Sequence, residues 1–124
     1  MNMIQFFKEE EQAQKKAAEK VTPEQASLKA GDFFMRYAYG IKIFSEILDP
    51  TTAILGSRQL EDLDEEELRD YRESCAFYET SNYRFTRSYS KACPRGELGD
   101  VHISCVERQI SREDFLKAKL NNWD

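Results

Sequence analysis

The sequence predicts an α+β fold: a small helical domain around a central helix at 32–48, with a C-terminal antiparallel β-hairpin at about 82–92 and 101–109 and a final short helix. Three observations predict it. The run DFFMRYAYGIKIFSEIL is the longest apolar-rich stretch, and Phe33, Phe34, Tyr37, Ala38, Ile41, Phe44, Ser45 and Leu48 recur in it at i, i+3, i+4 and i+7 spacing. From Tyr83 to Cys93 the pattern changes to period two, rich in aromatics and hydroxyls. Ser111-Arg112-Glu113-Asp114 then reads as a helix start, with Ser111 as cap and acids in the first turn.

The elements follow in chain order. Residues 1–21 read as a charged N-terminal helix or arm, and 22–124 as a single globular domain. Beyond Ile4, Phe6 and Phe7 the arm's only apolar residues are alanines, so it buries little. Thr22-Pro23-Glu24-Gln25 is a helix start: Thr22 caps, Pro23 suits the first helical position, and Gln25 completes a capping box. That helix can run on through Leu48, with Gly31 as a break and Asp32 as a second cap. Gly40 lies inside it, at a cost of about 1 kcal/mol against alanine. Asp49-Pro50 ends it, because the residue before proline avoids helical geometry.

Residues 51–57 form a connector with room for a short helical turn. Leu60, Leu63, Leu68, Tyr71, Cys75 and Tyr78 recur at three-to-five-residue spacing, which predicts an acidic amphipathic helix ending near Glu79. Residues 94–100 have loop chemistry, and Val101, Ile103 and Cys105 resume the alternation. A lone hairpin is marginal in water, so its apolar face is expected against the central helix.

Charge and composition exclude several function classes. The net charge is −5, against the basic face that general nucleic-acid binding requires. No run of about 18 apolar residues exists, so no membrane-spanning helix is expected. The first residues lack a secretory pattern, and the expected location is cytoplasmic. Cys75, Cys93 and Cys105 are an odd number without close pairs, which predicts free thiols.

Two charged segments are candidate partner-binding surfaces. Arg84, Arg87, Lys91 and Arg95 occur without an acid among them, interleaved with Tyr83, Phe85 and Tyr89. Such a pattern suits stacking on single strands. The overall negative charge favours a protein-docking edge instead, since a hairpin edge offers unpaired backbone groups. Asp64, Glu65, Glu66 and Asp70 form an acidic docking face. Asp62, Asp64, Glu66, Asp70 and Glu73 match positions 1, 3, 5, 9 and 12 of a calcium loop, but Glu67 stands where that loop needs glycine.

His102 and Cys105 make an H-x-x-C pair whose members point to opposite faces of a strand, and no C-x-x-C accompanies it. No catalytic residue, metal ligand or cofactor site is assigned. Phosphate-cradling glycine motifs are absent.

Asp32-Phe33-Phe34-Met35-Arg36-Tyr37-Ala38 resembles the Asp-Tyr-Tyr-Leu-Arg-Tyr-Ala segment in the bilin-carrying helix of some phycobiliproteins. The likeness spans seven residues and implies a helical setting. In that family the bilin cysteine lies five residues before this aspartate, and a further aspartate three residues after the cysteine. Here Ser27 and Ala30 occupy those places, so the resemblance implies at most a bilin-less relative.

The expected function is a non-catalytic small adaptor or assembly and regulatory factor acting by protein–protein contact, with another protein as partner. A homo-oligomer is compatible with the same features. The alternative is a small-ligand or pigment-associated helical binding domain, its pocket lined by Phe33, Phe34, Tyr37 and Phe44.

Overall fold

A computed structural model describes residues 21–124. The expected arm at 1–21 falls, but for its last residue, outside the described residues. The chain order is α1 (Pro23–Ala26), β1 (Phe33–Ala38), β2 (Ile41–Ile47), α2 (Pro50–Leu55), a 3₁₀ turn (Leu60–Asp62), α3 (Glu65–Thr80), β3 (Tyr83–Tyr89), β4 (Glu97–His102), a second 3₁₀ turn (Ile103–Cys105), β5 (Arg108–Ile110) and α4 (Arg112–Leu120). The strands form one antiparallel sheet in the order β4-β3-β2-β1-β5.

This overturns the helical domain with a C-terminal hairpin. The stretch expected as a central helix at 32–48 is itself a β-hairpin. Tyr39 and Gly40 both take positive φ, 53° and 74°, between the paired residues Ala38 and Ile41. That is the two-residue turn whose twist matches the strands it joins. The helical spacing misled because both faces of this hairpin are covered. Phe33, Met35 and Phe44 lie on one side and Phe34 and Ile47 on the other, so the strands read as near-continuous apolar runs. Gly40 is a turn residue, not a helix interior one.

The 82–92 segment does form a strand, β3, but its partner is β4 at Glu97–His102, most of which falls in the expected loop, rather than 101–109, and its other edge is hydrogen-bonded to β2. The expected second strand at 101–109 is divided. The His102 imidazole accepts from the Ser104 backbone N–H and caps a 3₁₀ turn, which ends β4 and redirects the chain. The chain then pairs with β1 at the opposite edge of the sheet.

That crossing curls the sheet. His102 and Arg108 are six residues apart, and with three of those steps in a 3₁₀ turn at about 2 Å each the reach is about 16 Å. Four strand spacings of a flat sheet take up about 19 Å before any displacement along the strands. Ile103 and Val106 of the crossing are buried, and Val106 packs with Leu28, Phe34, Ile47 and Val101 on the concave face. Ser45 and Thr86 are buried there too; Ser45 Oγ bonds its cross-strand partner Ser88 Oγ at 2.7 Å.

The convex face carries two helices. Phe115, Ala118 and Trp123, from α4 and the turn after it, pack on Met35, Phe44 and Ile110. Phe77 and Tyr78 of α3 pack on Tyr83 and Phe85. The local signals for the helix ends hold. Thr22 and Gln25 form the capping box of α1, and Ser111 caps α4; the structure adds Asp64 as the cap of α3. Asp49 caps α2 instead of closing a long helix.

Candidate functional site

β3 distributes its basic and aromatic residues between two faces. Arg84 points away from the aromatics and is consumed internally. Its Nε donates to the Leu28 carbonyl at 2.8 Å, Nη1 to Ser81 and Tyr83 at 3.0 Å, and Nη2 to Ala26 at 3.2 Å. Burial lowers its pKa from the usual guanidinium value. Tyr83 stacks on Phe77, Phe85 meets the edge of Tyr78, and Tyr89 stacks on Trp123. Lys91 pairs with Asp124 at 2.5 Å, and Arg95 is exposed. Of the seven predicted hairpin residues, Arg87 alone lies in a groove beside a free edge.

On the acidic side, Asp64 is committed to the α3 cap, where its Oδ1 accepts from the Glu67 N–H at 2.8 Å. Glu65, Glu66 and Asp70 are exposed. Glu67 returns to the cap and pairs with Arg58 at 2.7 Å. Thus the two predicted surfaces do not form one site. No group of three or more His, Cys, Asp or Glu residues placed to hold a metal exists among the described residues.

Of the two edge strands, β5 spans only Arg108–Ile110, and β4 at Glu97–His102 is the longer free edge. The Ile103 N–H donates to Asn82 at 2.8 Å, which sets the phase of the β3–β4 ladder. In an antiparallel pair, hydrogen-bonded residues alternate with residues whose backbone groups face outward. Leu98, Asp100 and His102 therefore direct their N–H and C=O groups away from β3. No other strand pairs with that edge among the described residues. Leu98 is 51% exposed, and among the described residues no heavy atom beyond Gly99 and its chain neighbours lies within 4 Å of where a Gly99 Cβ would stand. Asp100 is held at the edge by Tyr78, whose hydroxyl donates to Oδ1. Burial, then this carboxylate, raise the Tyr78 pKa well above the usual phenol value.

A groove runs inward from this edge. Leu98, Arg87 and Glu46 are successive cross-strand neighbours on the convex face. With Thr52, Ala53 and Gly56 from the α2 region they line a cleft of about 720 Å³. Among the described residues Glu46 and Arg87 do not form an ion pair, and both line the groove. Sequence reasoning missed Glu46, Glu97, Leu98, Gly99 and Asp100. Two glycines among charged residues read as loop, and only the run Val101-His102-Ile103 hinted at a strand reaching back.

Catalytic geometry is sparse. Ser104 Oγ lies 2.7 Å from His102 Nδ1, but the same nitrogen accepts the Ser104 backbone N–H, and no carboxylate bonds the ring's other nitrogen among the described residues. Burial, then Arg84, lower the His102 pKa. The pair caps a turn. The three cysteines are free thiols. The aromatics of the alternative pocket do not converge: Phe34 lies on the concave face, Phe33 and Phe44 on the convex face, and Tyr37 is exposed. The segment resembling a bilin-carrying helix is strand β1. No described helix is long and apolar enough to cross a membrane. Comparison with known proteins finds no matching family model, no matching curated protein and no matching solved structure.

Proposed function

We propose that the chain is a small non-catalytic adaptor or assembly factor that works by protein–protein contact, and that its docking element is the β4 edge. The observation that supports this is the run of outward backbone groups at Leu98, Asp100 and His102, next to a groove floored by Leu98, Arg87 and Glu46. An added strand gains affinity from main-chain hydrogen bonds and selectivity from pockets for alternate side chains. Both parts are present at this edge.

Leu98→Pro tests the proposal. Proline removes the outward N–H of residue 98 and leaves the bonds to β3 in place. The variant should keep the wild-type circular dichroism spectrum and lose the partners that wild type retains in affinity purification from the native host. If it keeps every partner, β4 is not the docking element.

A further inference from the structure

We infer that the segment taken up by β4 is an extended peptide with basic side chains opposite Glu97 and Asp100 and an apolar one opposite Leu98. This rests on the reading of β4 as a docking edge and names the chemistry of what docks.

Directly opposed side chains are the unit of pairing between neighbouring strands, and opposite charges there are favourable. The outer neighbours of an added strand are the residues of β4 itself. Two of its four exposed residues are carboxylates, Glu97 on the concave face and Asp100 on the convex face. Asp100 is not a loose surface group, because the Tyr78 hydroxyl fixes its Oδ1, and Oδ2 has no partner among the described residues. Leu98, half exposed between them, offers an apolar contact continuous with the groove. Gly99 lacks a side chain and has open space around it, so a bulky residue is tolerated opposite it. Among the described residues, the neighbouring cations Arg87 and Arg95 lie off this line. Arg87 is one strand further in, beside Glu46, and Arg95 precedes β4 in the loop. The chain's net charge of −5 also favours encounter with a basic segment.

An antiparallel segment therefore reads, in its own direction, basic, any residue, apolar, basic. The peptide Thr-Val-Lys-Thr-Val-Lys-Thr-Val contains that order. Its control carries Glu in place of Lys. Each is titrated into the full chain labelled with ¹⁵N, at low salt. The lysine peptide is expected to shift the amides of Leu98, Asp100 and His102. The glutamate peptide should bind about tenfold more weakly or worse, and Glu97→Lys combined with Asp100→Asn should reverse the preference.

Equal binding of both peptides at these amides leaves the docking edge standing and overturns the charge assignment. Shifts confined to Glu65, Glu66 and Asp70 on α3 overturn the assignment to β4. No shift with either peptide overturns the docking edge and this inference with it. A doubled mass in sedimentation that Leu98→Pro abolishes gives the edge to a second copy and overturns the basic-segment assignment.

Discussion

Arg84 Nε donates to the carbonyl oxygen of Leu28 at 2.8 Å, across 56 positions of chain. The same guanidinium reaches the carbonyls of Ala26, Ser81 and Tyr83. It thereby ties the segment after α1 to the corner where α3 enters β3. A residue that looks like part of a basic docking surface is a structural clasp.

Arg84→Ala should destabilise the fold by about 2–3 kcal/mol, because it leaves carbonyls of this corner without their donors. Arg84→Lys should recover little, since a single ammonium cannot span the carbonyls that a planar guanidinium serves. Urea unfolding of the two variants and wild type measures this. A loss below about 0.5 kcal/mol in Arg84→Ala would return Arg84 to the surface.

Trp123 is buried and stacks on Tyr89 with ring centroids 4.5 Å apart and planes 14° from parallel. Its Nε1 donates to the Pro94 carbonyl at 3.2 Å. It closes the α4 end of the convex core although it is the penultimate residue. Trp123→Ala should cost about 3–4 kcal/mol. As Trp123 is the sole tryptophan, wild type should fluoresce at short wavelength and shift red on unfolding. Native emission at the wavelength of the unfolded chain would contradict this burial.

His102 sets a pH dependence. Burial first, and the charge of Arg84 second, hold its folded pKa below the usual histidine value of about 6.5. A lowered pKa means that the unfolded chain binds the proton more readily. Stability from this group is therefore full above the unfolded value and declines as pH falls from there towards the folded one. Protonation also removes the acceptor for the Ser104 N–H. Wild type should lose more stability between pH 7.5 and pH 5.5 than His102→Asn, which keeps a capping oxygen without a titrating group. Equal losses in the two proteins would show that His102 does not couple to folding.

Tyr39 is fully exposed and has φ of 53°, a region disfavoured for a side chain of its kind. No packing compensates that strain. Tyr39→Asn should raise stability by about 0.5–1 kcal/mol, as asparagine accepts this turn position more readily. Gly40→Val should lower it, because a β-branched residue at φ of 74° is strained although space is open. Thermal unfolding of both variants reads the two signs.

Sequence alone determined the features whose causes lie within a few residues: the caps at Thr22 and Ser111, the acidic helix, the final helix, and the alternation through β3. Each is a short-range hydrogen bond or a one-sided hydrophobic pattern, and both are written in local spacing. Tertiary structure decided the rest. Whether residues 32–48 form a helix or a hairpin depended on their being covered on both faces, by α4 on one side and by Leu28 and Val106 on the other. Two-sided burial erases the period-two signal. The free edge at β4 is likewise a property of strand order, since an edge exists only where no other strand arrives, and no local pattern at Glu97–His102 records that.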